Sequence, residues 1–379
     1  MRAAVAVAIA LVVFVLGIVA GRSGLFGDDR SVPDQVLDLL RTEYYKPVDA
    51  KALETASVDE MLKRLHDPYT MYLDPNELAQ LRRDSEGVYT GVGVRVARRG
   101  GRAVVSGVFP DSPAASAGVK PGDVIVSVDG TELRPGNVDE VIGRIKGPEG
   151  STVRVVLRRQ GRDEPLALTL ERRTIRVPVV AGRDVKVDGR TIGYVSLAQF
   201  TQGSGKDLGR AVRARLDSGA SAVVLDLRGD PGGLLDEAIA AASVFLPKGA
   251  PVVTTEGAHA KPNTLRAGRG AIPRNVPLVV LVDRSSASAS EILAGALRDD
   301  GRATLVGEPT FGKAVVQSTV ELDGGGALKL TTARYLTPKG TDINHRGVLP
   351  KIRASDNPHT ARDEALARAL AVAAAARPR

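Results

Sequence analysis

Two largely apolar segments, each followed by a segment with helical character, constrain the fold of this chain most strongly. They are AVVLDL at residues 222–227 and PLVVLV at residues 277–282. Strands that are apolar on both faces are typical of parallel sheets that helices cover on both sides. We therefore predict an α/β domain with a largely parallel sheet over residues 173–353.

Three further segments surround this domain. Residues 31–86 carry apolar residues near a helical period, which predicts an N-terminal helical region. Residues 87–172 contain short β-like stretches that Gly, Pro and Asp-Gly turns interrupt, which predicts a small separate domain. Residues 354–379 are Ala-rich and are expected to form a helical tail with a structural role.

The chain starts with a segment suited to a membrane. Residues 3–21 are apolar or small, and Arg2 and Arg22 flank them. The run is longer than the ~7–15 residues of a signal-peptide core and reaches the ~18 that span a bilayer. We predict that residues 1–22 form an uncleaved anchor, with a cleaved signal as the alternative, and that the rest of the protein lies outside the cytoplasm.

Composition removes several classes of function. The chain has no cysteine, which excludes disulfides, thiol nucleophiles and thiolate metal sites. Its net charge of +8 comes from basic residues scattered along the whole sequence, tryptophan is absent and aromatic residues make up 3%. Nucleic-acid binding typically needs a concentrated basic face with aromatic residues, so we expect no nucleic-acid partner.

A small-residue turn follows the second apolar segment and is the first candidate for chemistry. The sequence SSASASE places serines at 286, 288 and 290, where a strand is expected to lead into a helix. Active sites in open α/β sheets tend to lie at this edge. The same residues also make a helix capping box, Ser288 to Glu291, which is a purely structural explanation.

A serine nucleophile needs a base, and the sequence offers two kinds. His259 or His345 would give a Ser-His-Asp triad, although neither lies in a recognisable motif. Lys313 precedes an apolar strand, where burial would lower its pKa and leave a neutral amine. Gln317 lies four residues further on and is expected on the same strand face as Lys313.

The small β-rich segment resembles a PDZ domain. The resemblance rests on SPAASAGVKPGDVIVSVDG and covers about residues 88–172. PDZ domains bind an extended peptide along an edge strand and hold its C-terminal carboxylate with backbone amides. Gly91, Val92 and Gly93, in YTGVGVRV, would supply that loop. The alternative is that the two glycines only form a turn.

The chain as a whole resembles the C-terminal processing peptidases, or tail-specific proteases. The landmarks DPYTMYL, DLRGDPGG, SSASASEILAGAL, GEPTFGKAVVQ and LKLTTARYLTPKG occur in the family's order, with the PDZ segment after the first. The resemblance implies a crotonase/Clp-like α/β catalytic core with an inserted PDZ domain and an N-terminal helical segment.

The resemblance also implies roles for individual residues. The nucleophile is the serine 25 residues before the lysine, which selects Ser288, with Lys313 as general base and Gln317 as its partner. The Ala289 amide would be one oxyanion donor, and Gly232 or Gly233 the other. Two positions depart from the family's usual pattern: Asp230 stands where Asn is common, and Ala314 where Gly is common.

We therefore expect a serine endopeptidase that recognises the C-terminal tails of extracytoplasmic proteins through its PDZ domain and needs no metal or cofactor. PDZ docking could gate the site, and the N-terminal helices could cover the cleft or form a homo-oligomer surface. Two alternatives remain. One is a membrane-tethered PDZ scaffold without catalysis, and the other is a crotonase-like acyl-transfer enzyme acting on acyl-CoA.

Overall fold

The computed structural model describes residues 30–99, 101–134, 138–357, 360 and 362–376. The chain divides into two compact units, one formed by residues up to Arg82 together with those from Val179 onward, the other by Arg83–Pro178. Among the described residues, no helix has the length and apolar character needed to cross a membrane. The predicted anchor, residues 1–22, lies outside the described residues.

The N-terminal region is mainly helical. Its helices are α1 (Val32–Thr42), α2 (Val58–Arg64) and α3 (Pro75–Glu86), with a 3₁₀ turn at Ala50–Ala52. Ser31 caps α1, and Ser57 forms a capping box at the start of α2. One short strand, β1 (Met71–Leu73), lies between α2 and α3 and was not predicted. Pro68 and Pro75 flank this stretch and disfavour a continuous helix there.

The second unit is a β-rich domain with two helices. Its elements are β2 (Val88–Gly91), β3 (Val94–Arg99), β4 (Arg102–Val108), α4 (Pro113–Ser116), β5 (Val124–Val128), β6 (Thr131–Glu132), α5 (Val138–Ile145), β7 (Thr152–Arg158), β8 (Leu166–Glu171) and β9 (Arg173–Arg176). The order β3-β4-β5-β7-β8 makes β3 an edge strand, and β2 pairs with β9. The unit has its own apolar core, centred on Val105, Ile125 and Val155.

The other unit contains the expected parallel sheet. Its first elements are β10 (Val180–Val187), β11 (Arg190–Leu197), α6 (Ser204–Asp217), β12 (Ala222–Asp226), α7 (Leu235–Ala242), β13 (Pro251–Gly257), β14 (Ala260–Arg266) and β15 (Leu278–Val282). Its last are α8 (Ala289–Asp299), β16 (Thr304–Gly307), β17 (Val315–Glu321), β18 (Ala327–Leu336), β19 (Ile352–Arg353) and α9 (Glu364–Ala375). The sheet order is β10-β11-β12-β15-β16-β19, and only the β10–β11 pairing is antiparallel.

Helices cover both faces of this sheet, as its apolar strands predict. Every residue of β12 and β15 is buried. Val223 and Leu225 pack in a core that includes residues of α6, α7 and α8. Ala222 and Val224 face the other side and pack in a core that includes residues of α9. The C-terminal helix therefore completes the second face of the sheet.

A second sheet was not predicted. It is antiparallel and consists of β1, β18, β13 and β14, with β17 also paired to β18. The N-terminal β1 pairs with the start of β18, Met71 opposite Lys329 and Leu73 opposite Ala327. Val36 and Leu40 of α1 share a core with Leu328 and Leu330 of β18. The N-terminal region therefore packs directly on the sheet that carries Lys329.

Candidate active site

The three serines of the turn before α8 differ in exposure. Ser286 and Ser290 are fully buried, whereas Ser288 is partly exposed. The Ser286 hydroxyl donates to the Leu227 carbonyl at 2.8 Å, and the Ser290 hydroxyl to the Asp230 carbonyl at 3.0 Å. These two hydroxyls tie the turn to the loop after β12. Ser288 is therefore the member of the three that an outside molecule can reach.

Ser288 has an unusual backbone conformation. It stands at the N-cap of α8 with φ 53° and ψ −112°, a region that residues with a side chain rarely occupy. Such strain persists only where surrounding contacts hold it, and it occurs often at functional sites. The Ser288 N–H donates to Glu291 Oε2 at 2.8 Å, which is the carboxylate half of the capping box. The cap is thus present, but it leaves this strained backbone unexplained.

Lys313 lies directly before β17 and is held by side-chain contacts. Its Nζ donates to Gln317 Oε1 at 2.8 Å, and the Gln317 Nε2 donates to the Tyr69 carbonyl, which fixes the amide's orientation. Nζ also lies 4.7 Å from the centre of the Tyr69 ring. Burial and then the positive charge of Lys329 lower the pKa of Lys313, while Asp67 and Glu291 act in the opposite direction. A depressed pKa increases the neutral fraction that a base requires.

Two groups bridge the main chains of Ser288 and Lys313. Glu291 Oε2 accepts the N–H of Ser288 at 2.8 Å and that of Lys313 at 2.9 Å. The Tyr335 hydroxyl lies 3.1 Å from the Ser288 carbonyl oxygen and 2.6 Å from that of Lys313. In the part of the chain that the structure describes, no hydrogen bond joins Ser288 Oγ to Lys313 Nζ. Catalytic hydrogen bonds are often long before a substrate binds, and the shared bridges keep the two segments adjacent.

The predicted oxyanion residues surround Ser288. Ala289 is the first residue of α8, so its N–H has no acceptor within the helix. A Cβ added to Gly232 would lie 2.6 Å from the Ala287 carbonyl oxygen and 2.9 Å from Ala289 N. Gly232 has φ +96° and Gly233 has φ +146°, so this close approach needs glycine. The Gly232 N–H donates to Asp230 Oδ1 at 2.8 Å.

The predicted carboxylate loop of the second unit precedes its edge strand. Gly91 ends β2, Val92 is buried, and Gly93 has φ +88°. A Cβ on Gly93 would lie 2.1 Å from the Ser112 Cβ, so a larger residue is excluded there. The loop leads into β3, an edge strand to which an extended peptide can add.

The histidine alternative gains no geometric support. Over the described residues, neither His259 nor His345 forms a hydrogen bond with Ser288. His259 lies between β13 and β14. His345 is linked to the loop before β17 through its main chain, because its N–H donates to the Gly312 carbonyl at 2.9 Å.

Three residues of the site were missed from the sequence: Tyr69, Glu291 and Tyr335. Tyr69 and Tyr335 lie inside the landmarks DPYTMYL and LKLTTARYLTPKG, which were used only as markers of resemblance. Glu291 was interpreted only as a helix cap. The sequence therefore offered a signal in these landmark motifs, but the contacts themselves link positions far apart in the chain.

Comparisons with known proteins show which family the chain resembles. The models of peptidase family S41, of a PDZ domain and of the activating protease CtpB N-terminal domain match residues 191–354, 104–159 and 31–77, respectively. The carboxyl-terminal-processing protease of Synechocystis is 37% identical over 82% of this chain and 74% of its own length. The carboxy-terminal-processing protease of Bartonella bacilliformis is 38% identical over 84% and 73%.

The chain belongs to the carboxyl-terminal processing proteases. A solved structure supports the same conclusion, because the photosystem II D1 C-terminal processing protease superposes with a TM-score of 0.57 at 31% identity, over 89% of this chain and 95% of that one. This chain is thus a serine-type peptidase with a PDZ domain, and the predicted family and fold class are confirmed. This favours the peptidase over the scaffold and the acyl-transfer alternatives.

Proposed function

We propose that this C-terminal processing protease cleaves peptide bonds with Ser288 as nucleophile and Lys313 as general base. The observation that carries the proposal is the Glu291 carboxylate, which holds the N–H groups of both residues at once. The lowered pKa of Lys313 and the accessibility of Ser288 support the same assignment. Gln317 orients the lysine amine from one side, at 2.8 Å.

In the proposed reaction the neutral Lys313 amine takes the proton of the Ser288 hydroxyl as the oxygen attacks the substrate carbonyl. The Ala289 N–H and an N–H of the Gly232–Gly233 loop stabilise the developing oxyanion. The lysine ammonium then protonates the leaving amine, which releases the C-terminal part of the substrate. Water, deprotonated by the same amine, hydrolyses the acyl-enzyme and regenerates Ser288.

Hydrolysis of an internally quenched peptide with a free, apolar C-terminus tests this assignment. Ser288→Ala and Lys313→Ala should each lower kcat by about 10³-fold or more, since they remove the nucleophile or the base. Ser285→Ala and Lys339→Ala are matched controls, because both side chains are exposed. Full activity in Ser288→Ala would exclude the assignment. Inactivity of the wild type toward peptides, together with hydrolysis of an acyl-CoA, would favour the acyl-transfer alternative.

Tail recognition and location complete the proposal. A PDZ domain whose Gly91–Gly93 loop precedes an edge strand suits capture of a substrate's C-terminal carboxylate. The relatives named above are carboxyl-terminal processing proteases, which fits this choice of substrate end. The apolar run of residues 3–21, flanked by Arg2 and Arg22, supports an N-terminal membrane anchor with the peptidase outside the cytoplasm. PDZ gating of the site and a homo-oligomer stay predictions.

A further inference from the structure

A fully buried carboxyl group lies in the loop that approaches the nucleophile. Asp230 has no exposed surface. Its Oδ1 accepts the Gly232 N–H at 2.8 Å. Its Oδ2 is buried and has no hydrogen-bond partner in the described part of the chain. An ionised carboxylate in such a place is strongly disfavoured.

Over the described residues, no cationic side chain forms an ion pair or a hydrogen bond with this carboxyl group. The charged groups on the segments packed around it are Arg228 on its own loop, Asp283 on the serine turn and Glu291 on α8. The Arg228 guanidinium bonds to the carboxylates of Asp226, Asp356 and Asp363. Asp283 and Glu291 accept from other groups. Burial raises the pKa of Asp230 to about 7, although the Gly232 N–H and the Ser290 hydroxyl act to lower it.

The loop of Asp230 touches the nucleophile's turn directly. The Asp230 main-chain oxygen accepts the Ala287 N–H at 3.0 Å and the Ser290 hydroxyl at 3.0 Å. The Gly232 N–H donates to the Asp230 carboxyl group. Gly232 also lies so close to Ala289 N that a Cβ at position 232 would collide with it. A charge on Asp230 would therefore be placed next to both predicted sources of oxyanion donors.

We propose that Asp230 is a positioning residue that supports the oxyanion loop only as a neutral carboxylic acid. In that form it orients the Gly232 N–H without adding charge. Loss of its proton to solvent puts an uncompensated negative charge beside the oxyanion and strengthens its hold on the Gly232 N–H. Both effects raise the barrier to attack. This inference rests on the proposed roles of Ser288 and the oxyanion donors.

The consequence is a bell-shaped pH dependence of hydrolysis. Activity needs a neutral Lys313 and a protonated Asp230, so it is low at both extremes of pH. The descending limb exists only because Asp230 must stay protonated, so an uncharged residue of the same shape should abolish it.

The test is the pH profile of kcat and kcat/KM for the full-length protein with the quenched apolar-tailed peptide. Relative to Asp230→Asn at the same pH, the wild type should lose about tenfold in activity per pH unit above a pH near 7. Asp230→Asn should keep the ascending limb and lack the descending one. Asp217→Asn, the same change at the exposed end of α6, should keep both limbs. A wild type without a descending limb, or an Asn variant that retains it, overturns the proposal.

A second measurement keeps the inference testable if Asp230→Asn does not fold. Infrared difference spectra of the inactive Ser288→Ala protein should show the carbonyl stretch of a buried protonated carboxyl group that disappears as the pH is raised through about 7. Absence of this band at pH 5–6 overturns the proposal. If Ser288→Ala and Lys313→Ala remain active, the proposed catalytic roles fail instead, and the infrared result is unaffected.

Discussion

The amine of Lys313 lies among groups that favour its neutral form and groups that favour its charged form. Burial and the charge of Lys329 lower its pKa. Asp67, Glu291 and the face of the Tyr69 ring stabilise the ammonium ion. A general base of this kind must first accept a proton and later donate it to the leaving group. A very low pKa would slow the first transfer and a very high pKa would slow the second, so an intermediate pKa serves both.

Lys329 lies on β18, and a substitution that removes its charge should change the pKa of Lys313. Lys329→Gln removes a positive charge, so the pKa of Lys313 should rise and the ascending limb of kcat/KM should move to higher pH, by up to about one unit. Lys339→Gln removes the same charge at an exposed position and should leave the limb in place. An unchanged limb in Lys329→Gln would show that the charge of Lys329 does not contribute to the pKa of Lys313.

Single residues differ in how far the sequence could predict them. Ser288 and Lys313 were selected by the family's spacing, and burial near an apolar strand already suggested a depressed lysine pKa. Glu291 could be seen as a cap because a cap is a local pattern. The hydrogen bond that its carboxylate accepts from the Lys313 N–H joins residues 22 positions apart, and no local pattern encodes such a contact.

At the scale of elements, the start of α8 and the loop before β17 are joined through the interior by one hydroxyl group. Tyr335 on β18 is 1% exposed, and its hydroxyl lies within hydrogen-bond distance of the carbonyl oxygens of Ser288 and Lys313. Three elements that are distant in the chain thus meet at a single oxygen atom. Their relative positions depend on it.

Removing this hydroxyl tests the link. Tyr335→Phe removes the hydroxyl that contacts both carbonyl oxygens; the Ser288 oxygen keeps the Ile292 N–H, whereas the Lys313 oxygen loses this partner, so stability should fall by about 1–3 kcal/mol. Hydrolysis should fall mainly in kcat, because one of the two groups that bridge the proposed nucleophile and base is lost and only the Glu291 carboxylate remains. Tyr72→Phe, at an exposed tyrosine, is the control for the denaturation midpoint and for kcat. Equal kcat in both variants would limit Tyr335 to a packing role.

The elements themselves were predictable to different degrees. The parallel sheet followed from β12 and β15, whose burial on both faces leaves a continuous apolar run in the sequence. The antiparallel sheet did not follow from any such run in the sequence. Its β1 has three residues and pairs with residues 327–329, and so short a strand has no pattern of its own. Such pairings depend on tertiary contacts, which sequence periodicity does not reveal.

At the scale of the whole molecule, the chain interrupts one compact unit with another. Residues Arg83–Pro178 form a unit with its own core, inserted between two parts of the peptidase unit. The insertion gives the protein a separate element for recognition, which can be altered without changing the residues of the catalytic site.

Gly93 allows that separation to be tested. Gly93→Ala places a methyl group 2.1 Å from the Ser112 Cβ and should distort the carboxylate loop. We expect KM for the free-tailed peptide to rise by about tenfold or more, with less change for the same peptide with an amidated C-terminus. Gly130→Ala also has a positive φ, but its Cβ meets nothing within 4 Å, so it is a matched control. The same KM in both variants would contradict a binding role for the loop.

The contact between Gln317 and Tyr69 spans 248 positions of the chain. Ribosomes make proteins from the N-terminus, so Tyr69 exists long before the lysine, the glutamine and Tyr335 are added. A partly synthesised chain therefore lacks a complete set of groups around the amine. We therefore expect proteolytic competence to arise only after β17 and β18, which carry Gln317 and Tyr335, have been made.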